Sequence, residues 1–230
     1  MGRFSIARFT RNGEAGMNFF QFMMANRQQV LELTLEHITL AGVSTLLAAI
    51  VGIPLGILIT RVPQLSKAVL GSANIVQTIP SLALFGFLLP APWIGERAGR
   101  IAILALALYA LLPLIRNTYA GIQGVDPAVV EAGRAMGLTD RQLLFQVELP
   151  LASGVIVAGV RIATVVSIGL ATIAAAIGAG GLGEFIFRGL AMVNNQVILA
   201  GAVPAALLAL AADFMLGGLE RRLGTLRSKS

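Results

Sequence analysis

The chain has 230 residues, 57% hydrophobic and only 12% charged, with a formal charge of +6 and a mean hydropathy of +0.84. A soluble domain carries about 25% charged residues, so this composition excludes an ordinary water-soluble protein and places the chain in a lipid bilayer. The basic residues stand at the ends of apolar runs, as Lys and Arg do at membrane interfaces, and not in the stripe that nucleic acid requires.

In chain order, residues 1–16 carry Arg3, Arg8 and Arg11 without sustained periodicity. They lack the apolar core and cleavage site of a secretory signal and read as a leader or as sequence upstream of the natural start at Met17. Residues 17–36 set Phe19, Phe20, Phe22, Val30 and Leu33 around a polar Asn26-Arg27-Gln28-Gln29 break, which predicts an interfacial amphipathic helix. Apolar runs follow at 38–59, 68–89, 101–115, 151–177 and 197–219. Weighed against the ~20 residues that cross a bilayer core, they predict an all-α integral membrane protein with five transmembrane helices over 37–219.

Each run has its own marks. Gly52-Ile-Pro-Leu-Gly56 offers a small-xxx-small packing face, and Arg61 and Lys67 bracket a short loop. Residues 90–100 form a turn-rich connector, and the short third run is lengthened by snorkelling of Arg100 and Arg116. A basic tail, 220–230, ends the chain. There is no cysteine, and the single His37 heads the first run with no second ligand near it, so an interfacial histidine and no metal site is expected.

Polar groups inside the spans need partners. Asn74, Gln77, Thr78 and Ser81 recur at i, i+3, i+4, i+7 on one face of the second span, with Pro80 as a kink. They either line a translocation path or hold the bundle by interhelical hydrogen bonds. Arg161 and Asp213 are the charges deep enough to need explanation. They read as a structural ion pair or as part of a gate; a proton relay has no second intramembrane carboxylate to continue it. Residues 177–188, Ile-Gly-Ala-Gly-Gly-Leu-Gly-Glu-Phe-Ile-Phe-Arg, form a glycine turn and a short amphipathic piece, without the strand or Lys-Ser/Thr of a nucleotide loop.

The stretch 126–150 is different in kind. Asp126 and Pro127 suit an N-cap and first helical position, and Gly137 ends an apolar stripe that includes Val129, Val130 and Met136. Thr139 and Gln142 form a capping box for a second helix, with Leu143, Leu144 and Val147 on its apolar face. Within it, Glu131-Ala132-Gly133, three residues, Gly137, nine residues, Val147, one residue, Leu149-Pro150 resembles the EAA signature of bacterial ATP-binding-cassette (ABC) importer membrane subunits. Gly133 replaces the third small residue of that signature and Val147 its Ile. Residues 52–61, 77–84 and 161–183 further resemble the osmoprotectant branch, permeases for glycine betaine, carnitine or choline; the methionine-importer branch has a similar five-span plan.

The resemblance implies a MetI-like fold and a coupling helix that docks in a groove on an ATPase subunit. It names Glu131, Ala132, Gly133, Gly137, Leu143, Leu149 and Pro150 as the coupling residues, with Leu144 and Phe145 as further apolar anchors. ATP and Mg would then be bound by the partner ATPase, since this chain carries no G-x-x-x-x-G-K-S/T and no catalytic residues of its own. It also implies a second copy or a paralogous permease and an extracytoplasmic substrate-binding protein. The expected location is the bacterial cytoplasmic membrane. Three regions, 61–67, 116–150 and the tail, hold nine Lys/Arg, which puts the C-terminus in the cytoplasm and the N-terminus outside. An ion-coupled secondary transporter would instead need intramembrane carboxylates and paired inverted repeats, and a structural membrane scaffold would need no ATPase.

Overall fold

The computed structural model describes residues 18–90 and 98–224. The leader expected over 1–16, most of the 90–100 connector and the last residues of the tail lie outside them. Among the described residues every regular element is helical. The chain begins with α1 (Phe19–Ala25), which ends at Asn26, whose side-chain amide donates to the Phe22 carbonyl at 3.0 Å. The second helix, α2 (Arg27–Arg61), starts at the next residue.

The amphipathic helix expected over 17–36 is therefore divided. Its second part, 27–36, is continuous with the first span because Arg, Gln, Glu and Leu are all good helix formers and no Gly or Pro interrupts them. At 1.5 Å per residue, the 35 residues of α2 reach about 52 Å, well beyond a hydrocarbon core of ~30 Å.

A single turn of 3-10 helix (Pro63–Leu65) leads to α3 (Ser66–Thr78) and α4 (Ser81–Leu88), which meet at 98°. The second expected span, 68–89, is thus a broken element and not a straight rod. Pro80 supplies the cause: it has no N–H to donate and forces Ile79 out of the helical region, to φ −70° and ψ 128°. Tyr109 completes the break by donating its hydroxyl to the Ile79 carbonyl, which the bend would otherwise strand in a membrane.

Helix α5 (Ala98–Gln123) runs 26 residues, about 39 Å, on past the apolar run of the third expected span, because Arg116 and Asn117 carry no helix-stopping signal. After it come α6 (Pro127–Ala135), α7 (Asp140–Leu143), a π-helical stretch (Leu144–Glu148) and α8 (Leu149–Ala174), the last three forming one rod. A glycine hairpin precedes α9 (Gly183–Met192), and α10 (Asn195–Gly224) closes the chain. The tail expected from residue 220 is in fact the last turn of α10 as far as Gly224.

Among the described residues four helical segments are long and apolar enough to cross a bilayer, α2, α5, the rod ending in α8, and α10; the bent α3–α4 pair makes a fifth where its two limbs count as one broken span. Glycines set the closest approaches. A Cβ on Gly56 would fall 2.6 Å from Thr118 Cβ, and one on Gly52 3.0 Å from Leu114 Cβ, so the small face of α2 lies directly on α5. On the other side of α5, Gly159 of α8 sits where a Cβ would meet Asn117 Cβ at 2.7 Å. Leu46, Ile50, Leu207, Leu210 and Phe214 project outward from the bundle, as lipid-facing or partner-facing side chains do.

Candidate functional site

At one end of the bundle α6 and α7 make a compact helix–turn–helix. Asp126 caps α6 by accepting from the Ala128 amide at 2.9 Å, and Pro127 occupies the first turn. The helix ends on Gly137 at φ +84°, with the Gly137 amide donating to the Arg134 carbonyl and the Leu138 amide to that of Gly133. Thr139 and Gln142 then form the reciprocal capping box of α7.

The two helices meet through Gly133, where a Cβ would stand 2.8 Å from Leu143 Cδ1. This accounts for glycine where the family signature has a small residue with a Cβ. It also corrects the assignment of Leu143 and Gly133 to a partner: Leu143 is 1% exposed and Gly133 is buried, so both hold the motif together internally. The outward face is Val129, Ala132 and Met136, the last 77% exposed, flanked by exposed Glu131 and Arg134. Phe145 also projects, Leu149 is half-buried, and Pro150 is exposed at the start of α8. Three small or apolar positions at helical spacing, uncovered beside a charged rim, make the kind of face on which another protein can dock.

Two ionic clusters stand beside this loop, and sequence reasoning found only part of one. Glu148, on the π-helical stretch and 4% exposed, receives both terminal guanidinium nitrogens of Arg61, one of them at 3.1 Å. The signal for it was present: a carboxylate embedded in an apolar run requires a cation, and Arg61 ends the neighbouring span on the same side. Farther along α8, Arg161 donates through Nε to Asp213 at 2.7 Å and through Nη1 to Glu220 at 2.8 Å. Arg161 and Asp213 are therefore paired as expected of a structural ion pair, and Glu220 joins them as a third member that the sequence pattern does not single out. Glu220 lies seven residues after Asp213, two turns along the same face.

The polar stripe of the second span does not survive as one face. Asn74 accepts from Arg116 at 3.3 Å, Gln77 donates to the Tyr109 carbonyl at 2.8 Å, and Thr78 donates to the Ile75 carbonyl. Ser81 lies past the 98° bend and belongs to the other limb. Asn74 and Gln77 thus tie α3 to α5, while exposed Thr78 remains beside the bend.

At the opposite end, the glycine segment is a pinned hairpin. Gly178, Gly180 and Gly181 have φ of +78°, +86° and +81°, and the Gly181 amide donates to Glu36 Oε2 at 3.0 Å. His37 is fully buried within the protein: its Nε2 lies 3.0 Å from the Ile168 carbonyl, and a Cβ on Gly181 would crowd its Nδ1. On α9, burial pushes the Glu184 carboxyl up, the Glu36 charge adds to this, and Arg188 opposes it. Among the described residues no group of His, Asp and Glu could hold a metal ion.

Crossing helices, a broken span with satisfied backbone at its bend, and an uncovered helix–turn–helix at one end fit the membrane-spanning subunit of a transport system. Residues 52–225 match the family described as binding-protein-dependent transport system inner membrane component, and the chain belongs to that family. It is 44% identical over 210 residues to the carnitine transport permease protein OpuCB of Listeria monocytogenes, covering 91% of this chain and 94% of that one. It is 47% identical over 205 residues to the glycine betaine/carnitine/choline transport system permease protein OpuCD of Bacillus subtilis, covering 89% and 88%. Among solved structures, an inward-facing MetNI methionine ABC transporter aligns with a TM-score of 0.78 at 23% identity, over 86% of this chain and 98% of that one. An amino acid ABC transporter solved with histidines aligns at 0.75 and 18% identity, over 90% and 99%. At those identities the two structures speak to the fold alone.

Proposed function

We infer that the chain is the membrane-spanning subunit of an ABC importer for quaternary-amine osmoprotectants such as glycine betaine, carnitine or choline. The observation that carries this reading is the 41–47% identity, across nearly the whole chain, to permeases named for those solutes. The methionine reading has only fold-level support at 23% identity. The chain is a transport subunit and not an enzyme.

In this reading a separate ATPase binds ATP and Mg and grips the exposed Val129–Met136 face. Its closure drives the spans between inward- and outward-facing states. A second copy or a paralogue pairs with this chain beside the α3–α4 bend, near Thr78, where the path would run. An extracytoplasmic binding protein delivers solute at the glycine-hairpin end. The chain lies in the bacterial cytoplasmic membrane with its C-terminus and the α6–α7 loop inside and its N-terminus outside.

The test is uptake of radiolabelled glycine betaine, carnitine and choline by proteoliposomes holding the complex purified with its ATPase, with methionine as the control solute. ATP-dependent uptake of at least one of the three, lost together with ATPase co-purification in Met136→Asp, supports the reading. Uptake of methionine alone overturns the solute, and a folded chain that never brings an ATPase with it overturns the importer.

A further inference from the structure

We propose that Arg61 and Glu148 form a positioning clamp that makes α2 follow the coupling loop, so that the ion pair governs solute moved per ATP and not ATP hydrolysis itself. The proposal rests on the importer reading above and deepens it. Its starting point is a direct ionic link between the segment that follows α6 and the end of α2. Helix α6 rides on the segment after it, through Gly133 against Leu143 and Leu138. That segment continues into α8, so a push on α6 is delivered along one rod.

The rod has a weak place. Residues Leu144–Glu148 are π-helical, and such a stretch replaces the regular i→i−4 ladder with a wider, poorer one, where a helix yields first. Glu148 is the last residue of that stretch, and its carboxylate is held by both terminal nitrogens of Arg61, the last residue of α2. A planar guanidinium on a carboxylate through two parallel bonds fixes orientation as well as distance. The carboxylate is nearly fully buried, its side chain 6% exposed, so the pair is shielded from solvent on that side.

From α2 the motion has a stiff onward path, because Gly52 and Gly56 lie in direct contact with α5. Among the described ion pairs this one alone joins the loop segment to a span other than α8. Without it, a displacement of α6 is partly absorbed in the π-helical stretch, and α2 is reached only indirectly, through α5, on which α8 is seated at Gly121 and Gly159. With it, both sides of the bundle move together.

The experiment uses the complete complex with ATPase and binding protein in proteoliposomes, measuring ATP hydrolysed and radiolabelled glycine betaine, carnitine or choline taken up in the same preparation. In Glu148→Gln, hydrolysis is expected to stay near the wild-type rate while uptake per ATP falls by about tenfold. The exchanged pair Arg61→Glu with Glu148→Arg is expected to recover most of that ratio. Hydrolysis and uptake falling in parallel, or a ratio that does not change, overturns the clamp. Should Glu148→Gln not reach the membrane, Arg61→Lys keeps the charge but not the two parallel bonds, and is read by the same ratio.

A second readout needs no solute. The chain has no cysteine of its own, so spin labels can be placed at Gln64→Cys and Ala135→Cys, both exposed. Their separation in the ATPase-bound complex is expected to be the same in the nucleotide-free and vanadate-trapped states, and to differ between them once Glu148→Gln is added. A separation that already changes between states in the otherwise native chain overturns the proposal. Hydrolysis without uptake of any of the three solutes overturns the solute reading instead, and the label distances still decide the clamp.

Discussion

Replacing Gly137 by alanine isolates what the turn of the coupling loop requires. A Cβ there meets nothing within 4 Å, so the residue has room for a side chain. The backbone, at φ +84°, does not suit one. Holding an L-residue in the left-handed region costs about 1–2 kcal/mol, which opens the α6–α7 turn about 5–30-fold more often. Gly133→Ala is the matched control, with the opposite accounting. Its Cβ would press on Leu143 Cδ1 at 2.8 Å, but that is the far end of a flexible side chain. Alanine also returns about 1 kcal/mol of helix propensity, leaving a net effect near zero. Hydrogen exchange of the Gly137 and Leu138 amides, which donate to Arg134 and Gly133, reads the turn in the detergent-solubilised complex. Gly137→Ala should lose protection, Gly133→Ala should keep it, and Gly137→Asn, which tolerates positive φ, should fall between. Equal loss in the two alanine variants, or Asn no better than Ala, would refute the reasoning.

Other predictions concern the charges. Arg161→Met leaves Asp213 and Glu220 facing each other with no cation between them, whereas Asp213→Asn keeps the Arg161–Glu220 bond. Thermal unfolding followed by circular dichroism should therefore place Arg161→Met below Asp213→Asn, and the reverse order would sink the triad. Because the Glu184 carboxyl is raised by burial and by Glu36, its contribution to stability is complete below the ordinary carboxylate range and is lost as pH rises through the raised value. Melting temperature across that window should fall less steeply in Glu184→Gln than in wild type; parallel curves would remove Glu184 as the cause. At the hairpin, Glu36→Ala strands the Gly181 amide at a cost of about 1–3 kcal/mol, while Glu36→Gln keeps an acceptor oxygen. A lower melting temperature for Ala than for Gln, with faster exchange at Gly181, is the expected result.

What could be read from the sequence, and what could not, divides along physical lines. The capping residues of 126–150 are local chemistry: Asp126, Pro127, Gly137 and the Thr139–Gln142 box act within four residues and fall where the pattern puts them. Helices outrun the apolar runs because hydropathy reports where lipid is tolerated, not where a hydrogen-bond ladder stops; α2, α5 and α10 all run on through polar helix formers. Pro80 announces a kink, but a bend of 98° also depends on Tyr109, thirty residues away, to satisfy Ile79. Leu143 was assigned to a partner because an apolar helix face looks the same whether it meets another protein or its own chain. Only the space opened by Gly133 distinguishes the two.

The same consideration bears on where solute is recognised. A quaternary ammonium is best held by several aromatic faces at once. Of the aromatic residues in the spans, Phe85 and Tyr109 are buried together in the α4–α5 packing, and the Tyr109 hydroxyl is already committed to Ile79. Phe87 and Phe214 point outward from different helices. These four side chains do not share a site within one chain, so a cage built from them would need faces contributed across a pair of permease subunits. On the importer reading proposed above, the division of labour expected is a path that admits a small quaternary amine without grasping it, and an external binding protein that does the choosing. It is also the arrangement in which a permease is free to spend its charged side chains, Arg61 with Glu148 and Arg161 with Asp213 and Glu220, on holding helices in register.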